Sequence, residues 1–227
     1  MILIIGAMDE EIEALKSLSR NPQEFVLEDV ETVLCDLGEK KVLISKSGIG
    51  KVNAAYTVST LCSRFPLSFL INIGSAGGLL EGQNIGDIVI ADSCRFHDFD
   101  IGKETPGDPR FIFYPDSRIS DRAEEILRDR GYSYHRGMVV TGDQFMQRDG
   151  FSFPHLTSWF PEAICAEMEA AAIACVCERR KVPFVILRGI SDLIFREGNE
   201  VDFRRYLSVA SKKSAEICRD LIAAADM

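Results

Sequence analysis

Four apolar runs in this chain stop at residues able to carry acid–base chemistry. Val182-Pro183-Phe184-Val185-Ile186-Leu187 is continuously apolar and β-prone, as a strand covered on both faces must be, and it breaks into Arg188, Ser191 and Asp192. In open α/β sheets ligands bind beyond the carboxyl ends of the strands, so a carboxyl and a guanidinium arriving there together suit proton transfer and charge stabilisation. The competing reading for Asp192 is a helix cap. Residues 69–73 run into Gly74-Ser75-Ala76-Gly77-Gly78, a turn whose small side chains let a ligand approach the backbone. Residues 1–5 run into Gly6-Ala7-Met8 and three acids, Asp9, Glu10 and Glu11. Two of these suit the positive end of a helix, which leaves the third available as a base. Residues 163–166 lead to Glu167-Met168-Glu169 and then to an apolar stretch over 170–177. That stretch reads as a buried helix, which does not need two acids at its start.

Positioning such ends requires alternating strands and helices. Strands are predicted over 1–6, 31–37, 41–47, 68–74, 86–97, 136–141 and 182–190, and helices over 9–20, 51–65, 118–130, 168–180 and 202–225. This pattern predicts an α/β fold, a single domain over residues 1–227 with a mixed central β-sheet flanked by helices on both faces. Residues 98–116, rich in Gly and Pro, have no periodicity and are expected to form a long loop bordering the pocket or a partner subunit.

Composition narrows the function. The 227 residues are 46% hydrophobic, with no apolar run long enough to span a membrane, as expected of a soluble domain with a full core. A net charge of -9 with scattered Lys and Arg argues against nucleic acid or an anionic membrane as the main partner. The seven Cys lie mostly in apolar segments (Cys62, Cys165, Cys175, Cys177, Cys218), without a Cys-x-x-Cys pair or a signal peptide, and are read as reduced residues of a cytoplasmic protein. His97, His135 and His155 are isolated from each other and from the cysteines, so no metal site is expected. Gly48-Ile49-Gly50-Lys51 resembles the tail of a P-loop, but Ser45 stands where the first Gly is needed and Val52 where Ser or Thr is needed. Gly6-Ala7-Met8 does not complete a dinucleotide fingerprint either, so neither ATP nor NAD is expected and no cofactor is assigned.

Seven segments in order and spacing carry a family resemblance: Gly6 to Glu11, Ser47 to Ala55, Asn72 to Gly78, Gly86-Asp87-Ile88-Val89, Gly142-Asp143-Gln144-Phe145, Glu167-Met168-Glu169-Ala170 and Arg188 to Asp192. Together they resemble the 5'-methylthioadenosine/S-adenosylhomocysteine nucleosidases of the nucleoside phosphorylase-like superfamily. The resemblance implies hydrolysis of an N-glycosidic bond to adenine within methionine salvage. It further implies a homodimer in which the 98–116 region of one subunit helps complete the pocket of its neighbour. By that resemblance Asp192 is the general acid that protonates departing adenine at N7, and Glu11 is the base that activates water with help from Ser75 and Arg188. Glu169 holds the ribose hydroxyls, Met168 packs against the sugar, Phe145 stacks on adenine and the backbone of Met146 reads the base edge. Ile49, Met8 and Phe203 line the alkylthio end, and Glu167 and Ser191 complete the substrate-binding set.

The chain departs from the common pattern at Ile73, at Gly189 and in Gln144-Phe145-Met146, which bears on specificity. The same skeleton serves futalosine-type nucleosides. Independently of family, a phosphorylase must hold a phosphate dianion at the anomeric carbon, where Asp9, Glu10 and Glu11 would repel it, so water is the expected nucleophile. Pro106-Gly107-Asp108-Pro109-Arg110 resembles a phosphorylase phosphate loop but falls mid-chain, and is read as coincidence. The non-enzymatic alternative, a nucleoside-binding protein on the same fold, would be favoured by loss of Glu11, Glu169 or Asp192; all three are present.

Overall fold

An interior strand of the sheet, β1 (Ile2–Gly6), is buried along its whole length and sends alternate residues to opposite faces. Leu3 and Ile5 join one apolar cluster, and Ile2 and Ile4 join the other. A strand buried on both sides needs helices on both sides. In this computed structural model, which describes residues 1–224, α2 (Lys51–Arg64) and α5 (Ala170–Arg180) cover the first face. The second is covered by α1 (Asp9–Lys16), α3 (Ser117–Asp129) and α6 (Asn199–Ala224). The last residue of the predicted 202–225 helix lies outside the described residues.

The remaining strands are β2 (Arg20–Leu27), β3 (Val30–Leu37), β4 (Lys40–Lys46), β5 (Phe69–Gly78), β6 (Ile88–Phe96), β7 (Ile112–Phe113), β8 (Tyr134–Thr141), β9 (Ala163–Glu167) and β10 (Phe184–Leu193). They form one mixed sheet in the order β10-β6-β8-β9-β5-β1-β4-β3-β2, with β7 on β6. Strand β10 pairs parallel with β5 as well as antiparallel with β6. Strands β5, β10, β6, β8 and β9 therefore close into a ring, and β1, β4, β3 and β2 extend from it as an open flap. The mixed sheet with helices on both faces agrees with the sequence expectation; the closure is a further feature.

Three local differences have physical reasons. Helix α1 stops at Lys16 rather than 20, and the polar segment after it, containing Pro22, forms the exposed edge strand β2. Proline and charge are tolerated there because one side of an edge strand needs no ladder bonds. A short helix, α4 (Phe153–Trp159), precedes β9. The 98–116 loop contains two single turns of 3-10 helix, Thr105–Gly107 and Pro109–Phe111, followed by β7. Within it the exposed Arg110 guanidinium pairs with Asp108 at 2.5 Å, and neither residue lines the cavity described below.

Candidate active site

The carboxyl ends of β1, β5, β9 and β10 meet at a cavity of about 340 Å³. Its wall is formed by Ala7, Met8, Glu11, Ile49, Ser75, Ala76, Gly77, Phe145, Ala166, Glu167, Met168, Glu169, Ser191, Asp192 and Phe203. Every sequence-predicted site residue is in this wall except Arg188 and Met146.

Glu11 sits in the first turn of α1, where one carboxylate oxygen, Oε2, accepts from the amides of Ala7 at 2.7 Å and Met8 at 3.2 Å. That half is an ordinary helix-start contact. The other oxygen crosses to β5, accepting from the Ser75 amide at 3.0 Å and the Ser75 hydroxyl at 3.2 Å, which a cap does not require. Burial pushes the Glu11 carboxyl up, while the Arg188 charge and the Ser75, Ala7 and Met8 amides pull it back part of the way. Asp9 and Glu10 do not share this environment. Asp9 is exposed and pairs with Lys46 at 2.8 Å, and Glu10 faces out, so of the three acids only Glu11 reaches the cavity and the charge barrier to phosphate is narrower than the triplet suggests.

Arg188 lies behind the wall. Its Nη2 donates to Glu167 Oε2 at 2.5 Å and to Asn72 Oδ1 at 2.7 Å, with both charged side chains almost fully buried. Room for it depends on Gly74, where a Cβ would stand 2.0 Å from Arg188 Nη1. Glu169 Oε2 is 3.9 Å away, and the guanidinium charge also acts on Glu11, so Arg188 influences the cavity electrostatically.

The two acids before α5 divide the work. Glu167 accepts from the amides of Glu169 and Ala170, both at 2.8 Å, and from the Thr141 hydroxyl, so its oxygens cap the helix and neutralise Arg188. Glu169 is freer: Oε1 accepts from the Gly50 amide at 2.9 Å, and burial together with the neighbouring Glu167 charge raises its pKa. This contact also fixes the Gly48–Gly50 turn, which brings Ile49 to the rim.

Asp192 follows a bulge. In the β10–β5 register Ile190 pairs with Ala76 and Asp192 with Gly77, so Ser191 is the extra residue that re-aims the acid. Asp192 Oδ1 accepts from the Ser191 hydroxyl at 2.8 Å and Oδ2 from the Asn199 amide at 2.7 Å. Burial raises its pKa, against these two donors. At the open end Phe145 and Phe203 meet edge-to-face with centroids 5.4 Å apart. Met146 is buried beside them, and its carbonyl accepts from Asn199 at 3.0 Å.

Sequence reasoning assigned no role to Asn72, Thr141 or Asn199. Asn72 interrupts an otherwise apolar strand, a signal that was available; Asn199 lies in a polar stretch that reads as solvated. Of the histidines, His135 bonds Asp87 at 2.8 Å, His155 stacks on Trp159, and buried His97 packs against Gly142; none lines the cavity.

The sequence profile of the Phosphorylase superfamily matches residues 1–223. A 5'-methylthioadenosine/S-adenosylhomocysteine nucleosidase of Halalkalibacterium halodurans is 40% identical over 220 residues, covering 94% of each chain. Its counterpart in Geobacillus sp. strain WCH70 is 37% identical over 227 residues, covering 97% of each. A crystal structure of such a nucleosidase from Neisseria meningitidis, in complex with methylthio-immucillin-A, superposes with a TM-score of 0.92 at 32% identity over 99% of both chains. The Streptococcus pneumoniae MTA/SAH nucleosidase in complex with 8-aminoadenine gives 0.90 at 32% identity, over 99% of both chains.

Proposed function

The chain belongs to the Phosphorylase superfamily, and from that premise we propose that it hydrolyses the N-glycosidic bond of 5'-methylthioadenosine and S-adenosylhomocysteine, releasing adenine and the thioribose product. The observation that carries this reading is a cavity with four buried carboxyls in its wall, of which Glu167 is taken up by Arg188 and the start of α5, leaving Glu11, Glu169 and Asp192 to act on a ligand. Among the described residues its wall contains no Lys, Arg or His, and the nearby guanidinium is engaged by Glu167 and Asn72. A phosphate dianion would find no counter-charge on this wall, whereas water needs only a base.

Asp192 donates its proton to the purine, and the electron pair of the glycosidic bond leaves with the base. Its raised pKa keeps it protonated to a higher pH than an exposed aspartate. The sugar becomes oxocarbenium-like, and a water that gives its proton to Glu11 supplies hydroxide to the anomeric carbon. The Ser75 hydroxyl, in contact with Glu11, orients that water, and Arg188 steadies the Glu11 charge from behind. Glu169 accepts from the ribose hydroxyls with Met168 against the sugar. Phe145 stacks on adenine, and Met8, Ile49 and Phe203 form the apolar end. Met146, outside the wall with its carbonyl on Asn199, is assigned the base edge through its backbone beside Phe145, and Ser191 and Glu167 hold Asp192 and Arg188 in place.

The same reading includes a single domain over residues 1–227, a cytoplasmic location in keeping with seven free cysteines, and a homodimer. Ile49 and Phe145 at the rim, Val52 and Tyr56 on α2, and Phe99, Ile101 and Tyr114 around the 98–116 loop are exposed apolar side chains that a neighbouring subunit would cover. Light scattering should return twice the 25.3 kDa chain mass. The deciding experiment is adenine release from 5'-methylthioadenosine in phosphate-free buffer and again with phosphate. Release without phosphate, giving free methylthioribose, is expected. A requirement for phosphate with formation of a sugar 1-phosphate would overturn the role given to Glu11.

A further inference from the structure

Asn199, the first residue of α6, is 1% exposed and joins two parts of the site that no strand connects. Its Nδ2 donates to Asp192 Oδ2 at 2.7 Å and to the Met146 carbonyl at 3.0 Å. A carbonyl only accepts, so Met146 determines which end of the carboxamide points inward, and the end presented to Asp192 is a pure donor. The two oxygens of Asp192 are therefore unlike. Oδ1 faces the Ser191 hydroxyl, which can also accept a proton by turning its own hydrogen to the Ala76 carbonyl 3.3 Å away. Oδ2 faces a group that can only donate, and that donation strengthens as negative charge develops on the carboxyl.

We propose that Asn199 is a positioning residue for the general acid: it ties Asp192 to the Met146 segment and stabilises the carboxylate that forms as the proton leaves. This rests on the assignment of Asp192 as the acid. Burial alone would hold the proton on Asp192, and an acid that does not release its proton is as ineffective as one that is never protonated. The charged groups around it do not supply the needed stabilisation. Asp202 on α6 and Glu11, Glu167 and Glu169 around the cavity are all acidic, and the buried cation Arg188 on β10 is engaged by Glu167 and does not bond Asp192. Arg148 and Asp149 of the segment after Met146 lie with Arg196, Glu197 and Glu200 in a separate outer cleft shared with Asn199. Among the described residues only the Ser191 and Asn199 side chains bond the Asp192 carboxyl.

The test is the pH profile of kcat/KM for 5'-methylthioadenosine with Asn199→Leu, which removes the donor, and Asn199→Asp, which keeps the shape and replaces donor by acceptor. Loss of one hydrogen bond to a charged group should move the alkaline limb up by about 1 to 2 pH units and lower kcat about 10- to 100-fold. Asn199→Asp should move the limb at least as far, and thermal melts identify any variant that has not folded. Reduced kcat in folded variants with the limb unmoved would make Asn199 merely structural and overturn the proposal. Full turnover in Asp192→Asn would instead remove the acid assignment on which it rests, so the two failures are distinguishable.

Discussion

Replacing Glu167 by Gln tests the electrostatic floor of the site. Glu167 and Arg188 are paired at 2.5 Å with side-chain exposures of 2% and 1%, so neither charge has water to fall back on. Breaking a buried pair by neutralising one partner costs about 3–5 kcal/mol, because the other charge is left uncompensated. Two contacts moderate this. Gln keeps a carbonyl oxygen for the Glu169 and Ala170 amides, so the helix cap is largely retained, and Glu169 at 3.9 Å from Arg188 supplies part of the missing charge. The expected loss is about 3 kcal/mol, the lower end of that range and a large share of the roughly 5–15 kcal/mol that stabilises a typical domain. Urea unfolding should show the midpoint falling at unchanged m-value. Combined with Arg188→Met, the two losses should be non-additive by more than about 1 kcal/mol, since the second change removes the stranded charge. Unchanged stability with a raised KM would refute the reasoning and make Glu167 a substrate contact rather than an internal strut.

Other outcomes follow from the same geometry. Asp192→Asn should lower kcat about 10²- to 10⁴-fold with folding intact, and full activity would remove Asp192 from the mechanism. In Glu11→Gln, turnover should be lost while calorimetry still detects binding of a substrate analogue; loss of binding alone would mark Glu11 as structural. Glu11 must be ionised and Asp192 protonated, and burial raises both pKa values, so kcat/KM should be bell-shaped with both limbs displaced to higher pH than exposed carboxylates would give. Activity should fall as pH drops through the Glu11 value and as it rises through the Asp192 value; a flat profile from pH 4 to 9 would contradict both assignments. Gly189→Ala would place a Cβ 2.8 Å from the Ala210 Cβ of α6 and 3.0 Å from the Ala210 carbonyl, and should destabilise by about 1–3 kcal/mol, readable as a lower melting temperature.

Much of the site was legible because its acids interrupt apolar runs: Arg188 and Asp192 break a six-residue hydrophobic strand, and Glu167 and Glu169 precede a helix that needs only one of them. What stayed hidden depends on contacts distant in sequence. The outward turn of Asp9 toward Lys46 and the division of labour between Glu167 and Glu169 need three-dimensional partners to appear. Asn199 sits in Arg196-Glu197-Gly198-Asn199-Glu200, which looks solvated, and is buried only because α6 folds back over β10 and β5. The edge strand β2 was missed because its stability comes from pairing with β3 and from Phe25 against Phe65, not from its own polar residues.

Closure of β5, β10, β6, β8 and β9 divides the molecule kinetically. Within the ring each strand carrying a site residue has a ladder partner on both flanks, so releasing one ladder leaves the strand held by the other. Amides of the buried stretches of β5, β9 and β10 should exchange with solvent only when the whole domain unfolds. The Ile49 turn, the segment around Phe145 and the start of α6 lie outside that ring and are held by bonds that include those from the Gly50 amide to Glu169 and from Asn199 to the Met146 carbonyl. Passage in and out of the cavity should therefore involve the rim. Turnover limited by product departure would respond to changes in those rim bonds while the strands beneath kept their geometry.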